Sequence, residues 1–302
     1  MATISLARTD SLDKAQRSGI AYSSNSTRSR IHAVAQDQIG FIGLGDMGFP
    51  IARRLLQNGF SVVSCAHRHR GPIEALKKEG LIEAREPRAV GAQVDMLISI
   101  VVGNLQTDAV LRGPSGAFSS MKPGSVVILM STLSPTYCRE IAREAEDRGI
   151  DVLDCPVSGG SIGAEKGTLA LIAGGKSEPL ERARTALGVL GSIHHCGEIG
   201  MGQVAKLANN AIAYSSAAAV QEAREMARSY GMDLNKLMEI VAESTGQCFV
   251  ADKWNFMMTN WPHLSVMGKQ DVQLCLEAAK EKNIGMRMAE TCLGSDWEKS
   301  RT

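Results

Sequence analysis

A lysine and two asparagines interrupt an otherwise apolar stretch at Gly200-Met201-Gly202-Gln203-Val204-Ala205-Lys206-Leu207-Ala208-Asn209-Asn210. Helical spacing puts Lys206 and Asn210 on one face, four residues apart. A lysine is seldom buried without a partner, and burial near the positive end of a helix lowers its pKa. Such a group exchanges a proton near neutral pH, as interconversion of an alcohol and a carbonyl demands of a general acid or base. The competing reading lets Lys206 snorkel to solvent and gives Asn210 a helix-packing hydrogen bond.

A second group is Gly43-Leu44-Gly45-Asp46-Met47-Gly48, between the apolar run Gln38 to Ile42 and the helical pattern Phe49 to Leu56. The first glycine permits a tight turn, the second lets the backbone approach a pyrophosphate, and the third allows close packing of helix on strand. In a chain with 30 glycines a bare GxGxxG is weak evidence. The flanking strand and helix supply the context the motif needs, making Gly43, Leu44, Gly45, Met47 and Gly48 candidates for binding a dinucleotide. The next strand, Ser61 to Ala66, runs into His67-Arg68-His69-Arg70, where an acid would hold the ribose diol of NAD. A basic cluster suits a phosphate dianion, so NADP is expected, with NAD possible and with His67 and Arg68 as its contacts. A solvated basic loop is the alternative.

Two loops complete the set. In Asp154-Cys155-Pro156-Val157-Ser158-Gly159-Gly160-Ser161, the amides around Ser158, Gly159 and Gly160 form a receptor for a carboxylate, although a plain turn fits the same residues. Met130-Ser131-Thr132-Leu133-Ser134-Pro135 stands at the carboxyl end of a strand, where open α/β sheets collect ligands. Ser131 and Thr132 are candidates for contacting cofactor or substrate, with Thr132 assigned to the cofactor. Ser134 reads as a helix cap ahead of Pro135.

Positioning these groups requires strands and helices in alternation. Apolar runs at 38–42, 61–66, 95–101, 125–130, 151–153, 169–173 and 192–196 alternate with helical patterns such as 49–58, 135–148 and 178–190. The expected fold class is α/β, with a Rossmann-like, mostly parallel sheet domain over 38–199 and an all-helical domain over 200–302, joined by a long interdomain helix. Residues 203–229 are apolar on nearly all sides, which predicts a helix buried all round. Further helices are expected at 234–242 and 271–281. Residues 1–37 read as a disordered tail or a transit peptide, implying the cytoplasm or, if a transit peptide, the mitochondrial matrix or a plastid.

The 302 residues carry 33 basic and 32 acidic side chains, so no global field points to nucleic acid or an anionic membrane. No apolar run reaches the roughly 18 residues of a membrane span, and a soluble protein is expected. Seven cysteines without CxxC spacing read as core thiols rather than a disulfide framework. Adjacent His194 and His195 would point to opposite faces of a strand, and no metal site is expected.

Taken in order and spacing, FIGLGDMGFPIARRLLQNGF, STLSP, DCPVSGGSIGAEKGTL and GMGQVAKLANN resemble the β-hydroxyacid dehydrogenase family over residues 38–285. The resemblance implies an NADP(H)-dependent oxidoreductase that interconverts a short β-hydroxy acid and its semialdehyde. Lys206 would be the general acid and base, Asn209 and Asn210 would help hold the substrate, and Ser158, Gly159 and Gly160 would receive its carboxylate. It also implies a homodimer or homotetramer built through the helical part. Gly160 to Leu169 looks most like the tartronate semialdehyde reductase and 3-hydroxyisobutyrate branch. Two features depart from the family. Its usual Lys-Asp pair meets Gly268-Lys269-Gln270-Asp271 here, so Gln270 stands for the lysine if Asp271 keeps its place; and the helical part is shortened, which would leave apolar surface uncovered. These departures leave a second possibility, a catalytically impaired dinucleotide-binding scaffold acting through protein partners. The remaining rival, 6-phosphogluconate dehydrogenase, would need a much larger helical domain.

Overall fold

Four-residue runs of Ile, Val, Leu, Met and Phe have too little length for a buried helix and favour strands covered on both faces. The computed structural model describes residues 38–66 and 68–294. The expected tail at 1–37, His67 and the last residues from 295 lie outside the described residues. The elements run β1 (Ile39–Ile42), α1 (Gly48–Gln57), β2 (Val62–Cys65), α2 (Gly71–Lys77), β3 (Ile82–Ala84), α3 (Pro87–Gly91), β4 (Met96–Ser99), α4 (Gly103–Leu111), β5 (Val126–Leu129), α5 (Pro135–Glu146), β6 (Asp151–Asp154), β7 (Val157–Ser158), α6 (Gly160–Lys166), β8 (Leu169–Ala173), α7 (Ser177–Gly188) and β9 (Gly191–His195). Helices follow: α8 (Met201–Ser229), α9 (Leu234–Ala242), α10 (Phe249–Asp252), α11 (Trp254–Thr259), α12 (Trp261–Lys280) and α13 (Arg287–Gly294).

Six strands form one sheet in the order β3-β2-β1-β4-β5-β6, every pair parallel. Its pleat sorts successive side chains into two core layers. Ile39, Phe41, Val62, Met96, Ile98, Val126 and Ile128 face Ile51 and Leu55 of α1 and Leu76 of α2. Ile42, Val63, Leu97, Val127 and Leu129 face Val90 of α3, Leu111 of α4 and Ile141 of α5. Full burial of each such side chain is worth about 1.5 to 3 kcal/mol. Gly40 makes room on the second side, where a Cβ would come within 2.7 Å of Leu97 and 2.9 Å of Val90.

The single sheet expected from the sequence is instead two. Strands β7, β8 and β9 form a separate three-stranded sheet, antiparallel between β7 and β8 and parallel between β8 and β9. Pro156 lacks an amide hydrogen, and the chain leaves the large sheet at β6 just before it. The two sheets meet where Asp154 and Gly174 exchange backbone hydrogen bonds of 3.1 and 2.7 Å.

The long helix also departs from expectation. Leu207, Ala211 and Ala217 of α8 are buried, whereas Val204 is 44% exposed and Ile212 70%. Its far side therefore carries apolar residues into the open rather than into a core of this chain. The α12 helix is longer than the expected 271–281, and α8 packs along it. Cys196 and Cys248 do not join the other cysteines in the interior: Cys196 is exposed and Cys248 half-buried. Among the described residues no helix is long and apolar enough to cross a membrane.

Candidate active site

At the carboxyl end of β1 the backbone turns through Gly43, with φ +106°, where a Cβ would lie 2.1 Å from the Ile100 carbonyl oxygen. Only glycine fits there. A Cβ on Gly48 would sit 1.7 Å from the Gly43 oxygen, so the third glycine is fixed by the approach of α1 to the turn. Gly45 differs: nothing lies within 4 Å of its Cβ position, leaving open space above the turn. The Phe49 amide already donates to the Gly45 oxygen at 2.8 Å, so the helical turn begins at Gly45. The amides of Met47 and Gly48 then head the helix, and Met47 gives no side-chain cap. Amides gathered at the positive end of a helix fit a pyrophosphate. Leu44 and Met47 pack half-buried on the core below it.

The basic cluster after β2 divides. Arg70 is held by Glu74 at 2.6 Å and by Glu83 at 2.8 Å, and Lys77 adds a 2.9 Å contact to Glu83. Arg68 is exposed and makes no ion pair among the described residues. Of the two cofactor contacts expected there, Arg68 is therefore available for an anion, while His67 is not described.

On the other side of β1, the loop after β5 is pinned. Ser131 Oγ accepts from the Val101 amide at 2.9 Å, Ser134 Oγ caps α5 from the Tyr137 amide at 3.4 Å, and Thr132 lies half-buried between them. The α8 helix is fastened to this loop by Gln203, wholly buried, whose Oε1 accepts from the Leu133 amide and whose Nε2 donates to the Ser131 oxygen, each at 2.9 Å. Asp154, at the end of β6 and also wholly buried, caps the same helix: Oδ1 accepts from the Gly200 amide at 2.6 Å and Oδ2 from the Gln203 amide at 2.7 Å. Gly202 lets the helix come this close, since a Cβ there would lie 2.2 Å from the Ile172 oxygen. Reading the sequence passed over Asp154 and Gln203. The available signal was a carboxylate ending an apolar strand and an amide three residues before Lys206 on the same helix face.

Further along α8 the side chains of interest converge. Asn210 Nδ2 donates to Asp271 Oδ2 of α12 at 2.6 Å, and Asn209 Nδ2 donates to Asn210 Oδ1 at 3.2 Å. Lys206 is near enough to feel the Asp271 charge. Burial lowers its pKa from the ordinary 10.5, and Asp271 opposes that shift. Burial likewise raises the Asp271 pKa, against the pull of Lys206 and Asn210. Asp271 thus reaches both Asn210 and the field of Lys206, while Lys269 and Gln270 are both exposed.

Ser158 ends β7 half-buried, and Gly159 and Gly160 follow with φ of +128° and +64°, both exposed. No side chain crowds Gly160, where nothing lies within 4 Å of a Cβ position. This turn is tied to α8 indirectly, through β7 pairing with β8 and the contact of Gly202 with Ile172.

A family model described as the NAD binding domain of 6-phosphogluconate dehydrogenase matches residues 38–202. Another, described as NAD-binding of NADP-dependent 3-hydroxyisobutyrate dehydrogenase, matches 200–295. The chain is 35% identical over 218 residues to a probable mitochondrial 3-hydroxyisobutyrate dehydrogenase of Dictyostelium discoideum, covering 72% of this chain and 68% of that protein. It is 32% identical over 257 residues to 2-(hydroxymethyl)glutarate dehydrogenase of Eubacterium barkeri, covering 83% and 85%. Among solved structures, the 3-hydroxyisobutyrate dehydrogenase of Mycobacterium tuberculosis with L-serine superposes with a TM-score of 0.77 at 27% identity, covering 86% of this chain and 92% of that one. With the glycine turn after β1 and the half-buried Lys206 of α8 already described, these matches show that the chain belongs to the β-hydroxyacid dehydrogenase family, nicotinamide-dependent oxidoreductases that interconvert β-hydroxy acids and their semialdehydes.

Proposed function

We propose that this chain is an NADP(H)-preferring member acting on a short β-hydroxy acid or semialdehyde of the 3-hydroxyisobutyrate or tartronate semialdehyde type, with Lys206 as its general acid and base. The observation that carries the reading is Lys206 on α8, desolvated beside Asp271 and Asn210, in a helix fastened to the ligand-collecting ends of β5 and β6. A bound nicotinamide supplies or receives the hydride. In reduction the Lys206 ammonium gives its proton to the carbonyl oxygen; in oxidation neutral Lys206 takes the hydroxyl proton. The Asp271 charge opposes the desolvation of Lys206, and Asn210, held by Asp271, is assigned to the substrate. Asn209 steadies Asn210. Ser158 and the amides at Gly159 and Gly160 receive the substrate carboxylate. Gly43, Leu44, Gly45, Met47 and Gly48 cradle the pyrophosphate, Thr132 contacts the nicotinamide side, and Arg68 takes the 2′-phosphate with His67 as its neighbour.

The preference for NADP is supported by Arg68 having no carboxylate partner among the described residues while Arg70 is occupied, and by the description of the family model matching 200–295. We read 38–199 as the cofactor domain and 200 onward as the helical domain. Homodimers or homotetramers through the helical part are supported by exposed Ile212, Met226 and Phe249, and by a concavity of about 280 Å³ bordered by Ala219, Val220, Leu237, Met238 and Val241. The test is turnover of purified protein with NADPH and with NADH on tartronate, succinic and methylmalonate semialdehydes, alongside Lys206→Ala. The variant is expected to lose about 10²- to 10⁴-fold in kcat while still binding NADPH. Full turnover by Lys206→Ala would refute the assigned role, and NADPH binding without turnover by the wild-type chain would instead favour a non-catalytic scaffold.

A further inference from the structure

We infer that Asp154 and Gln203 form a clasp that sets the position of Lys206 against the loop at 131–133, making them positioning residues for proton transfer. This rests on the reading of Lys206 above. Four hydrogen bonds converge on the first turn of α8: Asp154 accepts from the Gly200 and Gln203 amides, and the Gln203 side chain accepts from the Leu133 amide and donates to the Ser131 oxygen. Both side chains are wholly buried, so water cannot replace these bonds without opening the interior. The clasp has a definite direction. Asp154 ends β6, the loop extends β5, and Ser131 in turn holds the Val101 amide beyond β4, so three neighbouring strand ends are joined to one helix turn. Lys206 stands three residues beyond Gln203 on the same side of α8. A shift of the first turn is thus carried directly to the lysine, and a misplacement of about 1 Å in a reacting group costs on the order of 10² in rate.

The geometry separates the clasp from cofactor binding. The glycine turn and α1 make none of these four bonds, so loosening the clasp should leave the pyrophosphate cradle intact. Gln203→Met keeps the side-chain length and removes both bonds to the loop. Gln203→Glu keeps the acceptor for Leu133 and loses the donor to Ser131. Asp154→Asn keeps an oxygen for one amide and sets an NH₂ against the other.

The experiment measures three quantities for the wild-type chain and these variants: NADPH affinity from cofactor fluorescence, kcat and KM on the semialdehyde reduced fastest, and hydrogen exchange of the Leu133 amide. Gln203→Met is expected to lower kcat by about 10- to 100-fold, with NADPH affinity and KM changed by less than about threefold and Leu133 exchanging faster. Gln203→Glu and Asp154→Asn should fall between it and wild type, and they carry the test if Gln203→Met fails to fold. Unchanged kcat, or a loss of kcat matched by loss of NADPH binding, would overturn the inference; so would unchanged protection of Leu133. Lys206→Ala is measured in parallel. If it turns over normally, the reading of the lysine fails, and exchange at Leu133 still decides whether the clasp exists.

Discussion

The sheet region and the helical region bury their apolar residues in opposite ways. Along each central strand, successive side chains enter two closed layers, and the exposed large apolar residues there are few, such as Ile82 and Leu105. In the helical region the buried groups are small, one around Ala217, Val250 and Trp254 and another around Leu207, Ala211 and Cys275. Met201, Val204, Ile212, Met226, Ile240, Phe249, Phe256, Val266 and Met288 face outward. A monomer gains little from such residues, whereas the sheet is stabilised by its own core. Lys206 stands at the join, on a helix whose start is set by the sheet region and whose continuation belongs to the helical one.

Breaking the sheet side should have the largest effect. Gly48→Ala places a Cβ 1.7 Å from the Gly43 oxygen, and the backbone must move. Unfolding followed by denaturant is expected to show a loss of more than about 3 kcal/mol, with NADPH binding lost as well. A variant that keeps both would mean the turn is not fixed by close packing.

A charge on each surface sharpens the contrast. Ile212→Glu on α8 should shift sedimentation from an oligomer to the monomer and lower the thermal midpoint in a concentration-dependent way. Ile82→Glu, also exposed but on the sheet, should leave the assembly unchanged. Equal effects from the two would remove the distinction between a self-sufficient and a partner-dependent region.

The smallest effect is a displacement of a pH profile. In the proposed mechanism reduction needs Lys206 protonated, so kcat in that direction is expected to fall as pH rises through its pKa, which burial sets below the ordinary 10.5. The Asp271 charge raises that pKa. Asp271→Asn removes the charge, and the falling limb should move to lower pH; for oxidation, which needs the neutral amine, the rising limb should move the same way. A limb that stays in place would detach Asp271 from the lysine.

What could be read beforehand follows the same division. Parallel strands such as Met96–Ser99 announce themselves as unbroken apolar runs because both faces are covered. The three residues of β3 and the two of β7 carry too little pattern to be separated from loop, and α2, α3 and α6 span only five to seven residues each. The all-round apolar character of α8 suggested burial on every side, yet hydropathy cannot say whether the covering surface is in the same chain. Within the site, Lys206 and Asn210 were legible because they share a helix face. Asp154, Gln203 and the place of Asp271 depend on pairs 46, 70 and 61 residues apart, and local spacing marks the residues without pairing them. The turn at Gly43 to Gly48 was legible from its motif and flanking pattern, although the Ile100 carbonyl that fixes Gly43 comes from the neighbouring strand end.

The most direct measurement is a structure with NADP and a short β-hydroxy acid bound together. Lys206 Nζ should lie within about 2.6 to 3.2 Å of the substrate hydroxyl oxygen, on the side opposite the glycine turn. An amine pointed to solvent, with another side chain against that oxygen, would contradict the account.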